Sequence, residues 1–374
     1  MAYYSIFPEK DTTLYSHPDR DTMNTGKDEI LELVKEKGSI NPKYYPSRIL
    51  IKFSSTNIKE AIDKSTNFTS NLQLFSTEHQ NLAANQSIEV FPISRSWAEG
   101  TGKYSNLPTS SNGASWIYTD RSLGALWPTS LFNPGTTGSI LPNLTQGGGE
   151  WYTGSEFKGS QQFSSADSLD IDIDVTSIVQ KYSASLYNSQ TYPTGIPNYG
   201  FIIKNLDNVE EYISSSNGNL QYFSADTHTI YPPRLVFKWD DSVHSKQSTA
   251  KTSGNLNVSL YSNKGEYNQN DEALIRLHVR DKYPTRQFTS SSNYLNPGYF
   301  TTSSYYSIRD AHTEEEVIPF DDNFTKLSAD SEGMYFKLYM KGLQPERYYR
   351  MLFKHINNDG IQIYDNNYHF KVIR

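Results

Sequence analysis

The chain has 374 residues, contains no cysteine and carries 34 Lys and Arg side chains against 41 Asp and Glu, a formal charge of −7. Its length predicts two domains, and the lack of cysteine excludes disulfides, a thiol nucleophile and Cys-ligated zinc or iron–sulfur centres. The 28 Tyr, 18 Phe and 5 Trp residues argue against a disordered chain, and the acidic balance argues against a general binder of nucleic-acid backbone.

The sequence predicts neither a signal peptide nor a membrane span. Charges are spread through residues 2–30, which lack the apolar core of a signal peptide. No stretch reaches the ~20 apolar residues that cross a bilayer. We therefore expect a soluble protein that is not exported by the general secretory route.

Short alternating segments separated by turn residues predict β-strands in the first 240 residues. These strands are 48–53, 87–93, 168–175, 199–204 and 234–239. A period of two places alternate side chains on one buried face. Residues 57–64 predict a short helix with Asn57 as its N-cap, and 176–182 predict one helical turn capped by Thr176. Residues 27–37 fit either a helix or a strand.

A polar segment, residues 241–254, predicts a linker between two domains. Six strands are predicted after it, at 256–261, 273–279, 305–309, 334–340, 347–354 and 368–373. Their number and spacing suit an immunoglobulin-like β-sandwich over 255–374. The alternative is a second lobe of one larger β-domain.

An ordered set of short motifs runs through the first domain. In chain order they are Asn24-Thr25-Gly26, Arg48 at the start of the 48–53 strand, Trp97-Ala98-Glu99-Gly100, Asp174-Val175-Thr176 and Asn198-Tyr199-Gly200-Phe201. This succession resembles the DNRLRE-type jelly-roll β-sandwich, a disaggregatase-related family, over residues 1–240.

The resemblance implies an all-β chain whose first domain is a jelly roll. It implies structural roles for the motif residues Arg48, Trp97, Glu99, Gly100, Asp174, Thr176, Tyr199 and Gly200. Members of the family are non-catalytic or accessory modules of surface and extracellular proteins, and some lie beside carbohydrate-active domains. The resemblance therefore implies an interaction role; it does not imply a reaction.

A long insertion, roughly residues 119–152, departs from the family pattern. It follows Trp116 and ends in three successive glycines before Glu150 and Trp151. Because a loop on a sandwich face has little core to offer, its aromatic side chains suit an interface with a partner as well as they suit packing. The candidates for binding a protein partner or a glycan are Tyr118, Trp127, Phe132, Trp151 and Tyr152.

Motifs of common catalytic chemistries are absent from the sequence. There is no G-x-S-x-G, H-E-x-x-H or phosphate-binding loop, and the eight histidines never lie three to five residues apart. Glu99 beside Trp97 and Glu150 beside Trp151 leave open a pair of glycosidase carboxylates, although a core role is favoured for Trp97. We expect no enzyme activity and no cofactor.

Three alternating carboxylates, Asp170, Asp172 and Asp174, project from one face of a predicted strand. They are weak candidates for a calcium or sugar site. A solvated outer face opposite Ile171 and Ile173 explains the same pattern and is favoured. Asp174 is expected to accept backbone N–H bonds at the next turn.

Two classes of function fit these features. The favoured one is a non-enzymatic virion structural protein of a tailed bacteriophage, as a neck, collar, tail or capsid-decoration component. Two β-domains, many tyrosines, no cysteine and no signal peptide suit a protein that is made in the host cytoplasm and assembled into the virion. We expect multiple copies in a ring that bind other virion structural proteins, and no nucleic-acid or membrane partner. The alternative is a carbohydrate-binding or host-receptor-binding surface protein that holds a host glycan through the insertion.

Overall fold

The computed structural model describes residues 2–38, 43–65, 67–80, 85–105, 111–128, 136–139, 147–164, 168–186, 195–211, 218–245, 250–284 and 298–374. Strands make up 51% of these described residues and helices 11%, which confirms the predicted all-β class. The jelly roll and the immunoglobulin-like sandwich stay predictions. In this part of the chain, no helix has the length and apolarity needed to cross a membrane.

The chain divides into two compact units. The N-terminal unit comprises residues 6–236, and the C-terminal unit comprises residues 1–5 together with 237–374. The described part of the segment predicted as a linker belongs to the C-terminal unit. There Val243 N donates to Ser328 Oγ at 3.2 Å, and Ser245 N donates to Ala329 O at 3.1 Å.

The strands up to residue 239 are mostly short. In chain order they are β1 (Ala2–Ile6), β2 (Pro8–Tyr15), β3 (Ile30–Leu33), β4 (Lys35–Lys37), β5 (Tyr44–Phe53), β6 (Thr69–Leu74), β7 (Ser76–Gln80), β8 (Asn85–Pro92), β9 (Tyr118–Asp120), β10 (Ala125–Leu126), β11 (Thr136–Ser139), β12 (Gly147–Tyr152), β13 (Gly159–Ser164), β14 (Ile171–Asp174), β15 (Phe201–Asn205), β16 (Asn219–Phe223) and β17 (Arg234–Trp239). The helices are α1 (Ser55–Lys64), α2 (Thr176–Leu186) and α3 (Asp207–Glu211).

The largest described sheet of the N-terminal unit has the order β13-β8-β15-β5-β2, with β4 also paired to β5. Within it β15 lies antiparallel to both neighbours, so that Ile203 is opposite Ile49 on one side and Val90 on the other. Ile49, Leu50 and Ile51 are all buried. The alternation predicted one buried face for this strand, whereas both faces of β5 are covered, as in the central strands of layered folds.

The structure changes two helix predictions and decides one segment that the sequence left open. α1 begins at Ser55, so Asn57 lies inside the helix and is not its N-cap; Ser54 precedes the helix in an extended conformation. α2 is an 11-residue helix where one turn was predicted. Segment 27–37, open between helix and strand, forms β3 and β4, because β3 pairs with β16 and β4 pairs with β5.

The C-terminal unit contains two main sheets. Its strands after residue 240 are β18 (Ala250–Lys251), β19 (Leu256–Leu260), β20 (Glu266–Asn268), β21 (Glu272–Asp281), β22 (Tyr299–Phe300), β23 (Ser304–Asp310), β24 (Glu316–Ile318), β25 (Ser328–Asp330), β26 (Gly333–Tyr339), β27 (Arg347–Asn357) and β28 (Gly360–Ile373). The sheet orders are β19-β21-β26-β25 and β20-β28-β27-β23-β24. All six predicted strands form.

The two sheets pack face to face through aromatic rings. Phe336 of β26 stacks on Tyr306 of β23 with 4.2 Å between ring centroids, and it meets Phe353 of β27 edge-on at 6.1 Å. The core of this unit therefore lies between the sheets, as in a β-sandwich.

Candidate functional site

Four tryptophans of the N-terminal unit meet in one buried cluster, which we call the tryptophan cluster. Its members are Leu14, Leu50, Phe91, Ile93, Trp97, Ala114, Trp116, Trp127, Trp151 and Ile202. Trp97 Nε1 donates to Tyr199 O at 2.8 Å, and Trp127 Nε1 donates to Ser115 O at 2.9 Å. Each of these two indoles thus satisfies its polar atom inside the core.

For two of the insertion's aromatic residues, where the sequence left packing and a partner interface open, the structure shows packing. Trp127 is 1% exposed and Trp151 is 5% exposed, so neither offers a surface to a partner or a glycan. The successive glycines explain this placement. A Cβ on Gly148 would lie 2.7 Å from the Trp116 ring, and Gly148 has a φ of +77°. The glycines let β12 approach Trp116 closely.

The other insertion candidates differ in exposure. Tyr118 and Tyr152 are half-buried, and Phe132 lies outside the described residues. Two exposed leucines lie on the hairpin of β9 and β10, Leu123 in the connection between the strands and Leu126 opposite Tyr118. Leu123 is 80% exposed and Leu126 is 53% exposed. No pattern in the sequence separated these leucines from core leucines.

A buried arginine lies within the tryptophan cluster. Arg48 and Glu210 form an ion pair in which Nη2 is 2.5 Å from Oε2, with side chains 1% and 0% exposed. Arg48 Nη1 also donates to Gly148 O at 2.6 Å. The guanidinium carbon lies 4.8 Å from the Trp116 ring centroid and 5.1 Å from that of Trp151. This charge is therefore both paired and held against aromatic faces.

A second buried cation, Lys204, lies near the Trp151 indole. Lys204 Nζ is 2.6 Å from Asp207 Oδ1 and 3.7 Å from Glu89 Oε2, and Glu89 also binds Lys158 at 2.5 Å. The Lys204 ammonium is 5.7 Å from the Trp151 ring centroid. Such a network stabilises one arrangement of the chain, since any change that leaves a buried charge unpaired is strongly unfavourable.

The Asn24-Thr25-Gly26 and Trp97-Ala98-Glu99-Gly100 motifs touch each other. Asn24 Nδ2 donates to Glu99 O at 2.6 Å and to Ala114 O at 2.8 Å. A Cβ on Gly26 would lie 2.0 Å from Glu99 O, and one on Gly100 would lie 2.3 Å from Asn24 Oδ1. The Asn-x-Gly turn and the Trp-x-Glu-Gly segment are thus one packed unit, and these motif residues are structural.

The remaining motif residues also make local structural contacts. Tyr199 packs on the tryptophan cluster, and Gly200 O accepts from Tyr182 Oη at 2.6 Å. Thr176 Oγ1 accepts from Ser70 N at 2.8 Å, so it ties α2 to β6 and does not cap the helix.

The two carboxylates considered as a glycosidase pair each bind a cation. Glu99 Oε2 is 2.8 Å from Lys27 Nζ. Glu150 Oε2 accepts from Arg95 Nε at 3.0 Å and is buried. Both glutamates therefore have structural partners.

The alternating aspartates each have a local partner. Asp170 Oδ1 accepts from Ser76 N at 2.7 Å, and Asp172 Oδ1 accepts from Asn71 Nδ2 at 3.0 Å. Asp174 Oδ1 accepts from Thr176 N at 2.8 Å, which confirms the expected bond at the next turn. Ile171 and Ile173 are buried behind them. Across the described residues, no group of three acidic or histidine side chains is placed to hold a metal ion.

The sequence analysis missed a buried carboxyl, Asp11 on β2. Its Oδ2 accepts from Ala225 N at 2.6 Å, whereas its Oδ1 is buried with no hydrogen-bond partner in the described part of the chain. Burial raises the pKa of Asp11 to about 8; the Ala225 amide opposes this, and the Asp226 and Glu99 charges add to it. Lys27 Nζ lies 2.8 Å from Glu99 and 3.4 Å from Asp226. In the sequence Asp11 directly follows Glu9 and Lys10, and no pattern distinguishes it from a surface aspartate.

Lys10, the neighbour of Asp11, also has a shifted pKa. Its Nζ donates to Trp97 O and lies 4.1 Å from the Trp97 ring centroid. Burial and the nearby Lys52 charge lower the pKa of Lys10 to about 8. Perturbed groups of this kind occur both in functional sites and in structural ion-pair networks.

Comparison with protein families and with curated proteins finds no match for this chain. The resemblance to the DNRLRE-type jelly roll stays a prediction from the order of the motifs.

Proposed function

We propose that the chain is a non-enzymatic structural protein of a tailed bacteriophage virion, a neck, collar, tail or capsid-decoration component that acts through protein–protein surfaces. Its support is the combination of an all-β chain in two units, a tyrosine-rich composition without cysteine, and apolar side chains exposed on two hairpins. In this proposal the N-terminal unit is a DNRLRE-type jelly roll and the C-terminal unit an immunoglobulin-like sandwich.

The hairpin of β27 and β28 is the observation that carries the proposal. Ile361 is 67% exposed and Ile363 is 58% exposed. In the antiparallel register Ile361 is opposite Ile356, and Ile363 is opposite Lys354. Directly opposite residues share one face of a sheet. Ile356, Ile361 and Ile363 therefore form one apolar stripe, which we call the hairpin stripe.

An apolar stripe of this kind is unfavourable in contact with water and suits contact with a neighbouring subunit. Exposed contiguous apolar side chains mark interaction sites, and subunit interfaces concentrate apolar and aromatic residues at their centres. The exposed Leu123 and Leu126 give the N-terminal unit a second surface of the same character. Two such surfaces on one chain suit a subunit that contacts more than one neighbour.

The proposal predicts that the chain is present in purified phage particles in multiple copies. Mass spectrometry of particles from a lysate of the phage that encodes it tests this directly. A chain that is expressed but absent from particles overturns the proposal, as does turnover of a glycan that Glu99→Gln or Glu150→Gln abolishes.

The hairpin stripe gives a second test. The double variant Ile361→Lys/Ile363→Lys should fold like the wild type, since both side chains are exposed, but lose incorporation into particles. Val243→Lys is the matched control, because Val243 is also 58% exposed and belongs to a different segment of the same unit. Equal incorporation of all three proteins would show that this stripe is not an assembly surface.

A further inference from the structure

The Asp11 carboxyl lies where two segments distant in sequence meet. Asp11 is on β2, and Ala225 is in the turn that follows β16. The hydrogen bond from Ala225 N to Asp11 Oδ2 joins them at 2.6 Å. Ser224 is held separately, because its N donates to Glu29 O at 3.0 Å and its Oγ donates to Asp28 O at 2.5 Å. The Ala225 bond is thus the contact through which Asp11 holds this turn.

The charges around Asp11 make an anion at this position unfavourable. Asp226 acts on it from the turn and Glu99 from the Trp-x-Glu-Gly segment, and both are acidic. The one cation among them, Lys27, already binds Glu99 and Asp226. Lys10, next along β2, directs its ammonium to Trp97 O. Asp11 Oδ1 has no donor in the described residues to compensate a negative charge.

A protonated carboxyl removes this conflict. A neutral Asp11 still accepts the Ala225 bond through Oδ2 and brings no charge into the interior. The raised pKa of Asp11, about 8, agrees with a group that stays protonated at neutral pH. The unfolded or opened chain has an ordinary aspartate, which ionises near pH 4.

We propose that Asp11 and the Ala225 turn form a proton-controlled latch, closed while the Asp11 carboxyl is protonated and opened more readily as the proton is lost. The proton leaves to solvent as the turn separates from β2, and the aspartate becomes hydrated. This latch does not depend on the proposed virion role.

The sign of the pH effect follows from linkage between proton binding and opening. The closed form holds its proton up to about pH 8 and the open form releases it near pH 4. The equilibrium constant for opening therefore rises by up to about tenfold per pH unit between these two values and is constant above about pH 8.

Amide hydrogen exchange of the full chain between pH 5 and 9.5 tests the latch. After correction for the intrinsic rate, protection of the Ala225 amide should fall by up to about tenfold per pH unit and become constant above about pH 8. Protection of the Ser224 amide, which bonds to Glu29, should stay constant. Asp11→Asn should make Ala225 protection independent of pH. A pH-independent Ala225 in the wild type, or an unchanged pH dependence in Asp11→Asn, overturns the proposal.

Two further variants keep the test decisive if Asp11→Asn fails to fold. Both Lys27 and Asp226 are partly exposed, so their replacement spares the core. Lys27→Met removes the stabilising cation and should raise the pH above which Ala225 protection is constant. Asp226→Asn removes a repelling charge and should move it to lower pH. If neither variant changes the pH above which Ala225 protection is constant, the latch is contradicted.

Discussion

Replacing Glu210 by glutamine is the sharpest test of how the N-terminal unit is stabilised. The change keeps the shape of the side chain and removes its charge, which leaves the Arg48 guanidinium without a counter-ion at a position where both side chains are almost wholly buried. Breaking a buried pair by removing one partner costs about 3–5 kcal/mol. We expect the low end, about 3 kcal/mol, because the amide oxygen still accepts a hydrogen bond from the guanidinium.

The opposite replacement should cost more. Arg48→Met leaves the Glu210 carboxylate unpaired and removes the donor to Gly148 O, so we expect about 4–5 kcal/mol. The double variant Arg48→Met/Glu210→Leu has no buried charge at this position. It should be more stable than the sum of the single effects predicts, with a coupling of about 2 kcal/mol.

Urea unfolding followed by tryptophan fluorescence measures these changes. Four of the five tryptophans lie in the tryptophan cluster, so the signal reports mainly on the N-terminal unit. Asp63→Asn is the control, since the Lys59–Asp63 pair has a similar separation, 2.8 Å, but is exposed. Its loss should change stability by less than about 0.5 kcal/mol.

One result would refute this account of the ion pair. If Glu210→Gln changes the free energy of unfolding by less than about 1 kcal/mol with an unchanged dependence on urea, the Arg48 charge is not desolvated as the structure has it. An altered dependence on urea would point to a change in the unfolded state. The coupling measured with the double variant Arg48→Met/Glu210→Leu would then decide.

Three other predictions concern single side chains. Trp127→Ala should destabilise the N-terminal unit by about 3–5 kcal/mol, and Leu123→Ala by less than about 0.5 kcal/mol, as measured by urea unfolding. Equal effects of the two variants would contradict the placement of Trp127 in the core. Gly26→Ala should cost at least about 2 kcal/mol because its Cβ meets backbone, whereas Gly124→Ala, in open space, should cost about 1 kcal/mol, as thermal unfolding would show. Burial lowers the pKa of His355 to about 4, so the unfolded chain binds a proton that the folded chain does not. The free energy of unfolding should therefore fall as the pH drops from about 6.5 to about 4, by at most about 3 kcal/mol. Calorimetry should show that His355→Gln lacks this pH dependence.

Local patterns in the sequence were sufficient for several elements of the fold. The run 234–239 forms β17 with the same bounds, and the alternation around Ile171 and Ile173 gives the buried face of β14. Asp174 bonds to the next turn as expected. These features depend on neighbours within a few residues, which a sequence pattern contains.

Features that depend on distant partners could not be predicted. Segment 27–37 becomes two strands because β16, far along the chain, pairs with β3. Arg48 finds its counter-ion 162 residues later, and Asp11 finds Ala225 214 residues later. Trp127 suited either a surface or a core until the path of the insertion was known. Tertiary contacts decided each of these positions.

The C-terminal unit is built from two segments that lie far apart in the sequence, residues 1–5 and 237–374. Tyr4 packs edge-on against Tyr339 with 5.4 Å between ring centroids, and Ser5 Oγ donates to Gly342 O at 3.0 Å. During synthesis, residues 2–5 leave the ribosome more than 230 residues before the strands they join. The C-terminal unit therefore cannot complete its fold until the residues after 236 have been made, and a fragment that starts at residue 237 lacks part of it. A fusion placed before residue 2 is attached, in space, to the C-terminal unit.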